Sequence, residues 1–134
     1  MADTPLKSKP PDPAEIVESY RVAASGRPND VQALADLGWG LYGAAQYAEA
    51  VEQFQRSLAV GPDYLDAHYG LGLAYKALGE KAAAAAAFDK VAELTQQAED
   101  PVRGAMLRRL AHGHVNEIKD GDWQLEKEIW RREA

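Results

Sequence analysis

Apolar residues recur along this chain at steps of three and four, in segments divided by glycine, proline and aspartate. Ile16, Tyr20 and Ala23 draw one stripe, Val31, Leu34, Leu37 and Leu41 a second, and Ala50, Val51, Phe54 and Leu58 a third. Such steps put side chains on one face of an α-helix, which turns once in about 3.6 residues. The punctuation sets the ends. Asp12 is placed to cap a helix that starts near Pro13, proline being suited to a first turn, and Gly26-Arg27-Pro28 closes it. Asn29 or Asp30 caps the next helix, Gly43 and the residues after it make a short turn, and Tyr47 to Val60 returns until Gly61-Pro62. Asp63 is expected to cap a helix through Leu78, stopped by Gly79. Lys81 to about Gln97 follows, with six alanines from Ala82 to Ala87, the strongest helix former in the chain. Asp100-Pro101 opens a helix from Val102 to about Ile118 that Met106, Leu107 and Leu110 should anchor. After the Asp120-Gly121-Asp122 turn, Trp123 to Arg132 reads as a short amphipathic helix. Residues 1–12 hold three prolines and little apolar bulk, which predicts an extended tail. The class is all-α: about six helices in antiparallel hairpins, plus the short C-terminal one.

A longer period lies over these stripes. Leu37-Gly38 and Leu71-Gly72 are 34 residues apart, and at the same step Leu41 becomes Tyr75, Ala50 becomes Ala84 and Phe54 becomes Phe88. The closing pairs Asp63-Tyr64 and Gln97-Ala98 do not match, so the repeat is imperfect. A fixed period with small and large residues at set offsets is the mark of stacked helical hairpins. Gly38 and Gly72 fall where two helices of a hairpin cross, Ala50 and Ala84 are their small partners, and Phe54 and Phe88 fill the gap to the next repeat.

These residues resemble the tetratricopeptide repeat family, whose pattern is a large residue, Leu-Gly, an aromatic, Ala-x-x-x-Phe and a proline. The first full repeat gives Leu34, Leu37-Gly38, Leu41, Ala50, Phe54 and Pro62. The second gives His68, Leu71-Gly72, Tyr75, Ala84 and Phe88, with Gln96 where the proline would stand. Ile16, Tyr20, Ala23 and Pro28 match the second half of a further repeat. The divisions are thus a half repeat at 13–29, repeats at 30–64 and 65–98, a capping helix at 99–119 with Ala105-Met106 where Leu-Gly would be, and an amphipathic segment at 122–134.

The resemblance implies an α-solenoid that acts as a non-enzymatic protein–protein interaction module, an adaptor, assembly factor or complex subunit. In this family the first helix of each hairpin lines a concave groove that holds extended or helical peptides. The helical period puts Gln32, Ala35, Trp39 and Tyr42 on that inner face, then Asp66, Tyr69, Leu73 and Lys76, then Arg103, Leu107 and Leu110. Trp39 is the most telling, because it lies off the Leu34-Leu37-Leu41 stripe, and aromatics on a concave face have the composition of an interaction hot spot. Trp39 and Tyr69 could instead pack against the chain's own C-terminal helix. One subset of the family grips C-terminal carboxylates with a Lys, Asn and Arg set. Here Ala35, Trp39, Tyr69 and Gly70 occupy the matching area and only Arg103 could contribute, so that ligand is not expected.

Composition narrows the rest. With 134 residues, 27% charged and 46% hydrophobic, the chain fits one ordinary globular domain. The absence of cysteine excludes disulfides, thiolate metal sites and a cysteine nucleophile. No apolar run approaches the roughly 20 residues that span a bilayer, and Met1 to Pro13 lacks a signal-peptide core, so the expectation is a cytoplasmic protein with no membrane partner. The net charge of −6 is concentrated in residues 30–100, with 11 acids against 4 bases, which disfavours nucleic acid.

His112 and His114 would point about 200° apart on a helix and so could not share one metal ion, and His68 sits at a packing position. Gly70-x-Gly72 lies within a helix, without the strand a dinucleotide fold needs. No catalytic residue, metal or cofactor is expected. A second reading is a self-assembling structural unit. The half repeat leaves an open helical edge, and the C-terminal arm carries Trp123 and Trp130 on one face and Leu125 and Ile129 on another. That arm either caps its own chain or docks onto another copy.

Overall fold

A computed structural model describes residues 10–96 and 101–120. They form α1 (Pro13–Gly26), α2 (Val31–Gly43), α3 (Tyr47–Val60), α4 (Leu65–Ala77), α5 (Lys81–Thr95) and α6 (Pro101–Asp120), with no strand among the described residues. The 122–134 segment, the 1–9 stretch of the tail and the 97–100 link lie outside them. Asp12 caps α1 by accepting from the Ala14 N–H at 3.0 Å. Asp30 caps α2 through Gln32 and Ala33 at 2.9 and 3.1 Å, which decides between Asn29 and Asp30.

Asp63 does not cap α4 as its position suggested. The helix opens after Tyr64, which has extended backbone and no side-chain cap, because Gly61 to Tyr64 already closes a turn through Tyr64 N–H to Gly61 O. The α2–α3 turn also differs from expectation. Gly43 remains helical, and the left-handed residue is Ala45, at φ 61°. The Gln46 N–H reaches back to Leu41 O at 2.9 Å and the Ala45 N–H to Tyr42 O at 3.0 Å. The turn after α4 repeats this 34 residues later, with Glu80 on Tyr75 O, Gly79 on Lys76 O, and glycine in the left-handed place at φ 80°.

Helices α2 and α3 make one hairpin, and α4 and α5 make the next. The return helices α1, α3 and α5 lie against the helices that follow them, α2, α4 and α6, and α2 also touches α4. Between the hairpins stands Phe54, fully buried. A Cβ on Gly38 of α2 would lie 2.8 Å from its ring, and one on Gly70 of α4 closer still. Phe88 fills the equivalent place, 2.7 Å from a Cβ built on Gly72. Gly104, 34 residues beyond Gly70, is likewise buried. The buried Ser57 hydroxyl of α3 donates to Val31 O at 2.8 Å and ties the end of the return helix to the start of α2.

Helix α6 docks through Gly104, Ala111, His114 and Val115 rather than through the expected anchor Met106, which is 56% exposed. Leu107 and Leu110 are half-buried. Met106 stands where Gly38 and Gly72 meet their return helices, and no return helix follows α6 among the described residues, while the docked face of α6 is held by His114 stacked on Phe88, ring centroids 4.5 Å apart and planes within 10°. Lys76 Nζ lies 3.1 Å from His114 Nδ1 and 2.7 Å from Glu117 Oε1. An ammonium only donates, so Nδ1 accepts, and Nε2–H is left to donate to Tyr69 Oη at 3.0 Å. Burial, and then the Lys76 charge, push the His114 pKa down to about 4, with Glu117 opposing.

Three outcomes follow from this packing. Gly70→Ala should lower stability by about 1–3 kcal/mol, since the ring it would strike is sealed in the core; Gly43→Ala, with open space around it, should not. Urea melts of the two variants compare them directly. Ala45→Gly should raise stability by about 1 kcal/mol, by relieving a left-handed alanine, and should show as a higher thermal midpoint. For His114, a folded-state pKa below the ordinary 6.5 means that the unfolded chain binds the extra proton first. Its contribution is therefore complete above about pH 6.5 and is lost as pH falls toward 4, on the order of 3 kcal/mol. The stability-versus-pH slope in that window should flatten in His114→Phe, which keeps a ring on Phe88.

Candidate functional site on the concave face

On the first helices α2, α4 and α6 the expected inner-face residues recur at the 34-residue step. Trp39, Leu73 and Leu107 occupy equivalent positions, as do Tyr42, Lys76 and Leu110, and Ala35, Tyr69 and Arg103. All three members of the first row are half-buried and apolar. Trp39 meets Phe54 edge-on at 5.2 Å and 78°, so the core ring fixes the indole from below. Tyr42 stands edge-on to Trp39 at 6.1 Å and 5.4 Å from Tyr47. Leu73 leans on the second core cluster, with Phe88 and Val91.

The remaining candidates are used within the chain. Tyr69 is 5.6 Å edge-on to Phe88 and holds His114, and Lys76 bridges His114 and Glu117. Tyr69 packs on α6 and Trp39 on Phe54; the short C-terminal helix that could have covered them lies outside the described residues. Arg103 reaches Asp66 at 3.8 Å in an exposed pair of little energetic weight. Ala35 does not offer itself to a ligand as expected. It is 1% exposed. The arm residues Trp123, Leu125, Ile129 and Trp130 lie outside the described residues.

Trp39 also walls a cavity of about 280 Å³ with Pro13, Ile16 and Tyr20 of α1 and Gly40 and Gly43 of α2. Gly40 permits it, since a Cβ there would come 2.8 Å from the Tyr20 ring. At the starts of α2 and α4 the field is negative. Burial, then Asp30 and Asp66, hold the Asp36 carboxyl above the ordinary range, with Arg27 opposing; burial and the same three aspartates raise Tyr64. Burial, and then Tyr42, raise Tyr69. This acidic rim was not singled out from the sequence, although Asp30, Asp36 and Asp66 at two helix starts are its signal. Among the described residues no three metal-capable side chains converge. The arrangement offers an apolar floor, an aromatic end and an acidic rim, which suit binding.

A family model described as tetratricopeptide repeat matches residues 35–101, half of the chain. Among solved structures, one crystal structure of MamA superposes with a TM-score of 0.66 at 24% identity, over 90% of this chain and 64% of that one, and shows the fold. A second MamA crystal structure gives 0.58 at 25% identity, over 91% of this chain and 72% of the other. This chain therefore spans less than two thirds of the first structure's length. None of the curated proteins compared matches the sequence. With the repeat model covering half of the sequence and the hairpins built on its glycine and phenylalanine positions, the chain belongs to the tetratricopeptide repeat family, a family of protein–protein interaction modules.

Proposed function

We propose that this chain is a non-enzymatic adaptor, assembly factor or complex subunit that holds a peptide or helix of a protein partner in its concave groove. The observation that carries the reading is the row Trp39, Leu73 and Leu107, an apolar residue at one position on three successive first helices, each half-buried. A segment laid across the helices meets all three. Tyr42 extends the aromatic end. Tyr69, Lys76 and Arg103 frame the row, the first two fixed by their contacts with α6. An indole braced on Phe54 loses little freedom when it is covered, which is what makes aromatic anchors effective.

The carboxylates of Asp30, Asp36 and Asp66 disfavour an acidic ligand, so nucleic acid and free C-terminal carboxylates are poor candidates. Among the described residues no helix is long and apolar enough to cross a membrane. With no cysteine to oxidise, the chain suits a cytoplasmic setting.

Partner capture by the immobilised chain, followed by calorimetry with the captured partner, tests this. Trp39→Ala with Leu73→Ala should weaken binding about a hundredfold or more, on the scale of two anchor residues, while the far-ultraviolet spectrum stays helical. Unchanged affinity in a helical double variant moves the site off the concave face. Tyr69 is a poorer probe, because its removal also releases His114.

A further inference from the structure

Beyond the groove, the two ends of the array carry matching open faces. Within each hairpin the first helix presents four positions to its return helix. In α2 these are Leu34, Leu37, Gly38 and Leu41, all buried. Two repeats later the same positions of α6 are Val102, Ala105, Met106 and Arg109. Val102 is 79% and Met106 56% exposed, and together with Pro101 these four line an open cavity of about 430 Å³.

On α1 the situation is the reverse. Ile16 and Tyr20 stand where Ala50 and Phe54 are fully buried in α3, yet Tyr20 is 37% exposed and Ile16 only half-buried. Among the described residues α6 is thus a first helix with no return helix on its return face, and α1 a return helix with no first helix before it.

We propose that α1 of a second copy covers the open face of α6, completing between two chains the helical hairpin that each carries as separate halves. Two observations select this occupant. The interface is one that the chain already builds twice, in α2–α3 and α4–α5. Its register is set: Gly38 faces Phe54 and Gly72 faces Phe88, so Met106 faces the partner's Tyr20.

The bulk of Met106 in a glycine position is offset by Ala105 in the adjoining leucine position, and a thioether chain adapts to the space it finds. Such a contact joins unlike faces and so does not close after two copies.

Light scattering of the full chain over a wide concentration range tests this. The mass should rise beyond a dimer. Tyr20→Asp and Met106→Asp should each remain monomeric, and their equimolar mixture should give a dimer and nothing larger, since one good pair of faces survives. Helicity by circular dichroism checks that each variant is folded. A wild-type monomer at every concentration overturns the proposal, as does unchanged assembly of both aspartate variants. Assembly that appears only after residues 122–134 are deleted also overturns it, by making that segment the occupant. Leu73 and Leu107 are untouched in these variants, so loss of assembly with partner binding retained leaves the groove reading standing.

Discussion

The lodging of one phenyl ring between two glycines holds this array together. Phe54 belongs to the first hairpin, but its ring rests on Gly38 of its own hairpin and on Gly70 of the next. A single side chain thus sets both the crossing within a repeat and the spacing between repeats. Neither surface tolerates a methyl group, because the ring is sealed and has nowhere to move. Phe88 carries the same device to α6, where the His114 ring completes the stack. Each hairpin therefore buries its large residue partly against its neighbour, which is why such repeats are stable only in series.

How much of this could be read from residues alone divides along physical lines. The helices were legible because a 3.6-residue apolar period has one geometric solution, and the hairpins because Leu-Gly and Phe recur at a fixed step. The left-handed turn at Ala45 was not, since alanine gives no local sign of positive φ; only its counterpart Gly79 does. The start of α4 depended on how Gly61 to Tyr64 closes a turn, which the capping preference of Asp63 does not signal. Met106 looked like an anchor by composition, but it lies on the face that α2 and α4 turn to their return helices, and the docked face of α6 is held instead by His114 meeting Phe88 26 residues away in sequence.

The candidate site divides in the same way. Trp39 stood out because it left the packing stripe, and the structure places it beside Phe54 on the same side as Leu73. Tyr69 and Lys76 shared its face by helical period but are held by α6, a tertiary pairing across 45 and 38 residues that no local pattern signals. Lys76 also settles which ring nitrogen of His114 carries the proton, so a surface ammonium sets the chemistry of a buried group. The acidic field at the helix starts arises because separate turns bring Asp30, Asp36 and Asp66 within electrostatic reach of one another.

The contact between Trp39 and Phe54 means that the concave floor and the core share a wall. Whatever rests on the outer face of the indole presses, one ring further in, on the residue that joins the two hairpins. Occupancy of the groove and cohesion of the solenoid are then thermodynamically linked: a molecule that binds only the assembled surface stabilises both repeats at once, in proportion to the logarithm of its concentration over its Kd.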